Sequence, residues 1–218
     1  MKNIYVSRFA NQKLMAYLHF PDCVLHSVPN GGRTYPAVDA HPDIYLCKMG
    51  VTRHAYIFRG SRLEIGEKYP DNIKFNAVCL DRYFIHNLKY TSPALLKEVN
   101  RLGLTPVDVK QGYTKCSCVV VDDHSLITAD RGIVGALKKY PDIDVLPISQ
   151  GFVALENYDY GFLGGASGRV GNEIIFNGDL SKHPDYEAIC QFIQSRGLTV
   201  KYFPEYPLTD IGSILADF

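Results

Sequence analysis

Residues 118–148, CVVVDDHSLITADRGIVGALKKYPDIDVLPI, hold in one stretch the pattern on which the fold turns. Cys118-Val119-Val120-Val121 is an apolar, β-branched run, and Asp122-Asp123-His124 after it is a polar turn. Ser125-Leu126-Ile127-Thr128 reads as a second strand. From Asp130 to Tyr140 the apolar residues Ile133, Val134 and Leu137 recur at three- and four-residue spacing, which predicts a helix with Asp130 as its N-cap. Asp142 to Ile148 then reads as extended, so the order is strand, turn, strand, helix, strand.

The same order recurs on both sides. Upstream, Ala77–Leu80 turns at Asp81-Arg82 into Tyr83–His86. A helix follows from Thr91 to Gly103 with Leu95, Leu96, Val99 and Leu102 as its stripe, then an extended run from Thr105 to Lys110. Downstream, a turn at Gly168-Arg169-Val170-Gly171 leads to the strand Glu173–Phe176, a helix from about His183 to Arg196 striped by Ile189, Phe192 and Ile193, and the run Leu198–Phe203. The helix starts Thr91, Asp130 and His183 lie 39 and 53 residues apart, the excess being a glycine-rich stretch after Phe152. Thr91 and Ser181 offer further N-cap oxygens, while Gly103 and Gly197 sit where left-handed C-caps are expected. A weaker copy begins at His41-Pro42-Asp43, with strands Ile44–Cys47 and Ala55–Phe58 and a helical part eroded to Ser61–Lys68. The remaining pieces are a tail strand at Ser213–Ala216, a head strand at Asn3–Val6, a helix carrying Leu14, Met15 and Leu18, and a strand around Asp22 to His26. Joined tail to head they form a fifth unit, an arrangement that hides sheet edges. Five units in 218 residues are about 44 residues each, within the range of repeat architectures. The expectation is a single α/β domain over residues 1–218, a fivefold pseudosymmetric ββαβ propeller closed by pairing of its terminal strands.

Composition narrows the function. With 46% hydrophobic and 21% charged residues the chain buries a core and is not disordered. Lys plus Arg equals Asp plus Glu, 23 of each, so no global field draws nucleic acid or an anionic membrane. The cations are dispersed, which leaves 15 tyrosines and 11 phenylalanines without the basic groove of a base-stacking platform. No apolar run approaches the roughly 18 residues of a membrane helix and the N-terminal residues lack a signal-peptide core, so a cytoplasmic address is expected. Cys23, Cys47, Cys79, Cys116, Cys118 and Cys190 are scattered, without a C-x-x-C pair, and read as reduced thiols. The sequence carries no signal for an oligomeric state.

Lys115-Cys116-Ser117-Cys118-Val119-Val120-Val121-Asp122, Gly161-Phe162-Leu163-Gly164-Gly165-Ala166-Ser167-Gly168 and Pro207-Leu208-Thr209-Asp210-Ile211-Gly212-Ser213-Ile214 resemble an uncharacterised bacterial family of the pentein, or α/β-propeller, fold. That is the fold of the guanidino-group-modifying enzymes, and the resemblance is strongest from Asn76 onward. It implies a site in a central channel, where a cysteine nucleophile of the last repeat works with a histidine and with acidic residues that grip a guanidinium. The equivalent segment here, Asp210-Ile211-Gly212-Ser213-Ile214, has no cysteine. The fold also has a non-enzymatic member type that acts as a ribosomal anti-association factor, so a protein-binding role through the tyrosine-rich stretch near Tyr158 stands as an alternative.

If the first strand of each unit lines the channel, the residues at the strand starts face it. These are His41, Asp43, Asn76, Lys115, Cys116, Ser117, Ser167, Asp210 and Ser213. His41, Asp43, Cys116 and Asp210 are the candidates for acid–base or nucleophilic work, and Asn76, Lys115, Ser117, Ser167 and Ser213 for ligand binding. The leading expectation is binding of a small guanidino-, amidino- or amino-acid-like molecule. The alternative is a hydrolase of a small C–N bond compound using Cys116 or an activated water. Lys115 beside Cys116 suggests a lowered thiol pKa, set against plain packing of Cys116 and Cys118 on one strand face. His-Pro-Asp occurs at residues 41–43 and 183–185, and His with Asp suits a divalent metal, but the second copy opens a helix as ordinary capping chemistry does. The glycine-rich stretch matches neither a dinucleotide fingerprint nor a P-loop, and neither cofactor nor metal is expected. Its glycines read as a tight bend with close backbone approach, and Tyr158, Tyr160 and Phe162 before it as a lid over one mouth or an insertion packed on the face.

Overall fold

Antiparallel pairing of a short first strand with a second, followed by a helix that returns a third strand parallel to the second, organises most of the chain. The computed structural model describes residues 2–52 and 54–218. Val78–Cys79, Tyr83–His86 and Thr105–Asp108 form one sheet in this order, with the helix Pro93–Arg101 between its last two strands. Cys118–Asp122, Ser125–Thr128 and Asp144–Pro147 form the next, with the helix Arg131–Leu137. Ser167–Val170, Glu173–Phe176 and Thr199–Lys201 repeat it with the helix Tyr186–Gln194. In a fourth sheet Leu215–Ala216 pairs antiparallel with Lys2–Ser7, placing Tyr5 opposite Leu215, and Cys23–Val28 runs parallel to Lys2–Ser7 across the helix Gln12–Tyr17. The fifth is a two-stranded hairpin of Leu46–Met49 and Tyr56–Arg59 followed by the single 3₁₀ turn Arg62–Glu64. The eroded helix over Ser61–Lys68 is thus one turn.

Local chemistry explains the helix limits. Ser92 rather than Thr91 caps the first helix, its Oγ accepting from the Ala94 and Leu95 amides. Asp130 caps the second through the Ile133 amide, as its spacing predicts. Asp185 rather than Ser181 stands at the N-cap of Tyr186–Gln194, and its carboxylate accepts from the Ser149 amide instead of from its own helix. Leu95, Val99, Ile133, Leu137, Ile189 and Ile193 are buried against the sheets, whereas Leu102 is exposed because its helix stops at Arg101. The turn foreseen at residues 168–171 is strand up to Val170, and the chain reverses at Gly171-Asn172 instead.

Two one-turn helices correct the reading of the strand starts. Pro42–Tyr45 and Thr114–Ser117 are helical, and each runs into a strand at Leu46 or Cys118. His41 therefore precedes a helical turn rather than a strand, and Cys116 does not share a strand face with Cys118. The apolar core is divided into four clusters on the helix-covered sheet faces. Between them lies a set of buried polar side chains at the helical turns and the last loop.

Candidate functional site

Asn76 organises the site although it carries no charge. Its Oδ1 accepts from the backbone N–H groups of Lys115 and Cys116 at 2.8 and 3.2 Å, which pins the start of the Thr114–Ser117 turn. Its Nδ2 donates to Cys116 Sγ at 3.4 Å. The Cys116 thiol donates in turn to Asp43 Oδ2 at 2.9 Å. Ser213 Oγ lies 2.7 Å from the same carboxylate oxygen and accepts from Lys115 Nζ at 3.0 Å. A chain of contacts thus runs Lys115, Ser213, Asp43, Cys116, Asn76, joining residues up to 170 positions apart. His41 Nδ1 sits 3.9 Å from Asp210 Oδ1, and neither it nor Asp43 Oδ1 has a hydrogen-bond partner although both are buried. Asp210 is held by the Phe162 and Gly212 amides, each at 2.9 Å.

The glycines foreseen as close-approach positions have that role at two places. Gly212 has φ +72°, and a Cβ there would lie 2.1 Å from the Cβ of His41. At Gly165 a Cβ would lie 2.1 Å from Asp210 Oδ1. Only glycine lets these backbone segments press His41 and Asp210 into the cluster.

Burial dominates the electrostatics. It pushes the His41 imidazole down to about 4 despite the neighbouring Asp43 carboxylate, so the ring is neutral at pH 7. Burial raises Asp43, opposed by His41, Cys116 and Lys115, and lifts Asp210 to about 6 against the two amides that hold it and Lys115. The Cys116 thiol is pushed well above its usual range by burial first, then by Asp43 and Asp210. This corrects the expectation of a thiol activated by Lys115. The lysine ammonium turns away to Ser213 and to the carbonyls of Cys118 and Gly164.

His41, Cys116 and Asp210 form the floor of a cavity of ≈ 320 Å³. Its walls are the rings of Tyr35, Tyr113, Tyr158, Tyr160 and Phe162, with Asp159 joining them. Tyr35 and Tyr158 lie 6.2 Å apart between centroids, Tyr113 and Phe162 6.5 Å, and the Tyr35 and Tyr113 hydroxyls are hydrogen-bonded. Tyr158 and Tyr160 are exposed at the rim. No lysine or arginine among the described residues lines this cavity.

Of the residues singled out from the sequence, His41, Asp43, Asn76, Lys115, Cys116, Asp210 and Ser213 come together here. Ser117 does not, and Ser167 only touches the edge of the cluster, through the Gly164 carbonyl that Lys115 Nζ and Ser213 Oγ also contact. Ser117 faces a separate cavity of ≈ 170 Å³ behind Tyr160 and Phe162, and its Oγ has no partner. Ser167 is fully buried, with its Oγ 3.4 Å from the Gly164 carbonyl. Tyr35, Tyr113 and Asp159 were missed. Tyr35 rides on a loop whose turn is held by the Asp39 carboxylate, which accepts from the Gly32, Arg33 and Thr34 amides. The usable signal for Tyr113 is the recurrence of Gln111-Gly112-Tyr113 as Gln150-Gly151-Phe152 after the third strand of the next unit.

The sequence profile of a family of unknown function, DUF6873, matches residues 53–215. The chain belongs to DUF6873. A search of curated proteins finds no relative. Among solved structures, dimethylarginine dimethylaminohydrolase in its adduct with 4-chloro-2-hydroxymethylpyridine is similar at TM-score 0.52 and 11% identity, over 92% of this chain and 91% of that one. A histidine-to-glycine variant of dimethylarginine dimethylaminohydrolase, in adduct with S-methyl-L-thiocitrulline, aligns at TM-score 0.55 and 12% identity, over 96% and 92%. At such identities the likeness shows the fold alone, and the fold of this DUF6873 chain is the pentein fold. No helix among the described residues is long and apolar enough to cross a membrane.

Proposed function

We propose that this protein binds a small organic cation of the guanidino or amidino type, on an amino-acid-like body, in the cavity above His41, Cys116 and Asp210. The observation that carries this reading is the cavity's lining: five aromatic rings, two carboxylates and a neutral imidazole, with no lysine or arginine. Ring faces attract a cation by about 0.5–2 kcal/mol each when desolvated, and a carboxylate at the floor orients planar N–H donors. A volume of ≈ 320 Å³ suits a molecule of amino-acid size. The similar solved structures are of an enzyme named for dimethylarginine, a methylated guanidine. The reading treats residues 1–218 as one propeller domain of five pseudosymmetric units around the site. The five sheets and the pairing of Leu215–Ala216 with Lys2–Ser7 support that arrangement.

Thermal unfolding with arginine, agmatine and methylated arginines tests the binding. At least one of them is expected to raise the Tm of the wild type and not that of Asp210→Asn, without release of ammonia or of a citrulline-type product. Stabilisation by none of them, or by neutral and anionic amino acids equally, sinks the reading.

The thiol of Cys116 donating to Asp43 beside His41 favours a second reading, hydrolysis of a C–N bond in such a ligand. In that chemistry the thiol adds to the amidine carbon, its proton passes by way of Asp43 to the departing amine, and water later cleaves the C–S bond. Product formation at enzyme-like rates that vanishes in Cys116→Ala would establish it; formation that survives the change assigns the reaction to an activated water.

A further inference from the structure

We propose that His41, Asp43 and Cys116 form a three-ligand site for a zinc-like divalent cation, with its open coordination position facing the aromatic cavity. The proposal does not depend on the organic-cation reading. One ligand atom from each residue, an imidazole nitrogen, a carboxylate oxygen and a thiol sulfur, lies within 4.8 Å of the others. Four-coordinate zinc with bonds of about 2.0–2.3 Å holds its ligand atoms roughly 3.4–3.7 Å apart, so small side-chain adjustments bring all three onto one ion.

Two features point to a missing ligand rather than to a finished hydrogen-bond network. His41 Nδ1 and Asp43 Oδ1 are buried without a partner, in residues only 4% and 0% exposed. An unpaired acceptor there costs free energy that a cation would recover. Nitrogen, oxygen and sulfur donors together favour zinc over magnesium or calcium, which take oxygen alone. Asp210, 3.9 Å from His41 Nδ1, stands where it would orient the imidazole or take the open position. On binding, sulfur bonds the metal as the thiol proton leaves to solvent.

The second His-Pro-Asp copy, which reads from the sequence as helix capping, lacks these open groups. At residues 183–185 the histidine Nδ1 accepts from the Asp185 amide and the carboxylate accepts from the Ser149 amide, and neither side chain has a buried atom without a partner. At residues 41–43 both groups are left over.

Cobalt(II) added to chelator-treated protein tests the site. One equivalent is expected to bind with a thiolate-to-cobalt charge-transfer band and the intense visible bands of four-coordinate cobalt, and zinc is expected to bleach both. Cys116→Ser should abolish the charge-transfer band, and His41→Gln should weaken binding by at least about 10–100-fold, with unfolding curves run on each variant to confirm the fold. Should either variant fail to fold, release of one proton per metal and a Tm that climbs with zinc concentration decide the matter in the wild type. Absence of stoichiometric binding, or a charge-transfer band that persists in Cys116→Ser and so belongs to the half-buried Cys23 or Cys190, overturns the proposal. The organic-cation reading is tested on chelator-treated protein without metal, so the two fail separately.

Discussion

At Asn76 one neutral side chain satisfies two backbone donors of a turn 39 residues away and touches the thiol that the turn carries. In Asn76→Ala those buried N–H groups are left unpaired, and a loss of about 2–4 kcal/mol in denaturant unfolding is expected; an unchanged midpoint would show that water replaces the amide without penalty. Gly212→Ala meets both the left-handed φ of +72° and the contact with His41, and is expected to cost more than about 1 kcal/mol and to displace the imidazole. A chemical-shift map confined to residues 211–213 would contradict that. His86 provides a pH effect remote from the site. Its ring nitrogens contact Thr91 Oγ1 and the Gly112 carbonyl, and burial pushes it down to about 4. The unfolded chain therefore binds this proton more tightly than the folded one. Stability is full above about pH 6.5 and falls on acidification toward pH 4, by up to about 3 kcal/mol for this group. His86→Gln should flatten that slope relative to the wild type, and parallel pH profiles for the two proteins would refute the assignment.

At the scale of elements, the site is built by turns too short to leave a periodic signal. Pro42–Tyr45 and Thr114–Ser117 are four residues each, one turn of helix, which is too short for a helical period to be told from a strand. That is why Ile44–Cys47 read as strand and Cys116 as a strand-face residue. The long helices behaved otherwise, because a nine-residue helix covers two turns or more and a stripe such as Leu95, Val99 and Leu102 recurs along it. Ser92 links an element to its neighbour: it caps Pro93–Arg101 and donates to Glu64 Oε2 at 2.6 Å, from the single 3₁₀ turn of the preceding unit. Ser92→Ala is expected to cost about 1–2 kcal/mol, with Ser92→Gly milder at the cap but equally damaging to the Glu64 contact. A double-mutant cycle with Glu64→Gln separates the two contributions; a coupling energy near zero would assign the whole effect to the cap.

For the whole molecule, the terminal strands are one structural element. Asn3 and Asp217 exchange backbone and side-chain hydrogen bonds beside the Tyr5–Leu215 register. Ser213, two residues before Leu215, also supports Asp43 from 170 positions away. Removing residues 211–218 therefore strips both a sheet partner and a wall of the site. Hydrogen exchange is expected to rise across all five sheets together rather than only over residues 2–28; a rise confined to the N-terminal sheet would show that the units fold independently.

Sequence alone determined the repeated strand–strand–helix–strand order, because periodicity and turn chemistry are local properties. Seven of the nine marked site residues meet in the fold, and Ser167 reaches their edge through a shared carbonyl. Tertiary structure decided the chemistry. Whether Lys115 activates Cys116 depends on where its ammonium points, and the fold sends it to Ser213 while placing two carboxylates near the sulfur. Tyr35 and Tyr113 became walls of one cavity only when loops 78 residues apart in sequence were brought together. His41 and His183 share the same local sequence, yet only the packing around His41 leaves its nitrogen buried and unpartnered, because desolvation and unmet hydrogen bonds are properties of the assembled surroundings and not of the chain.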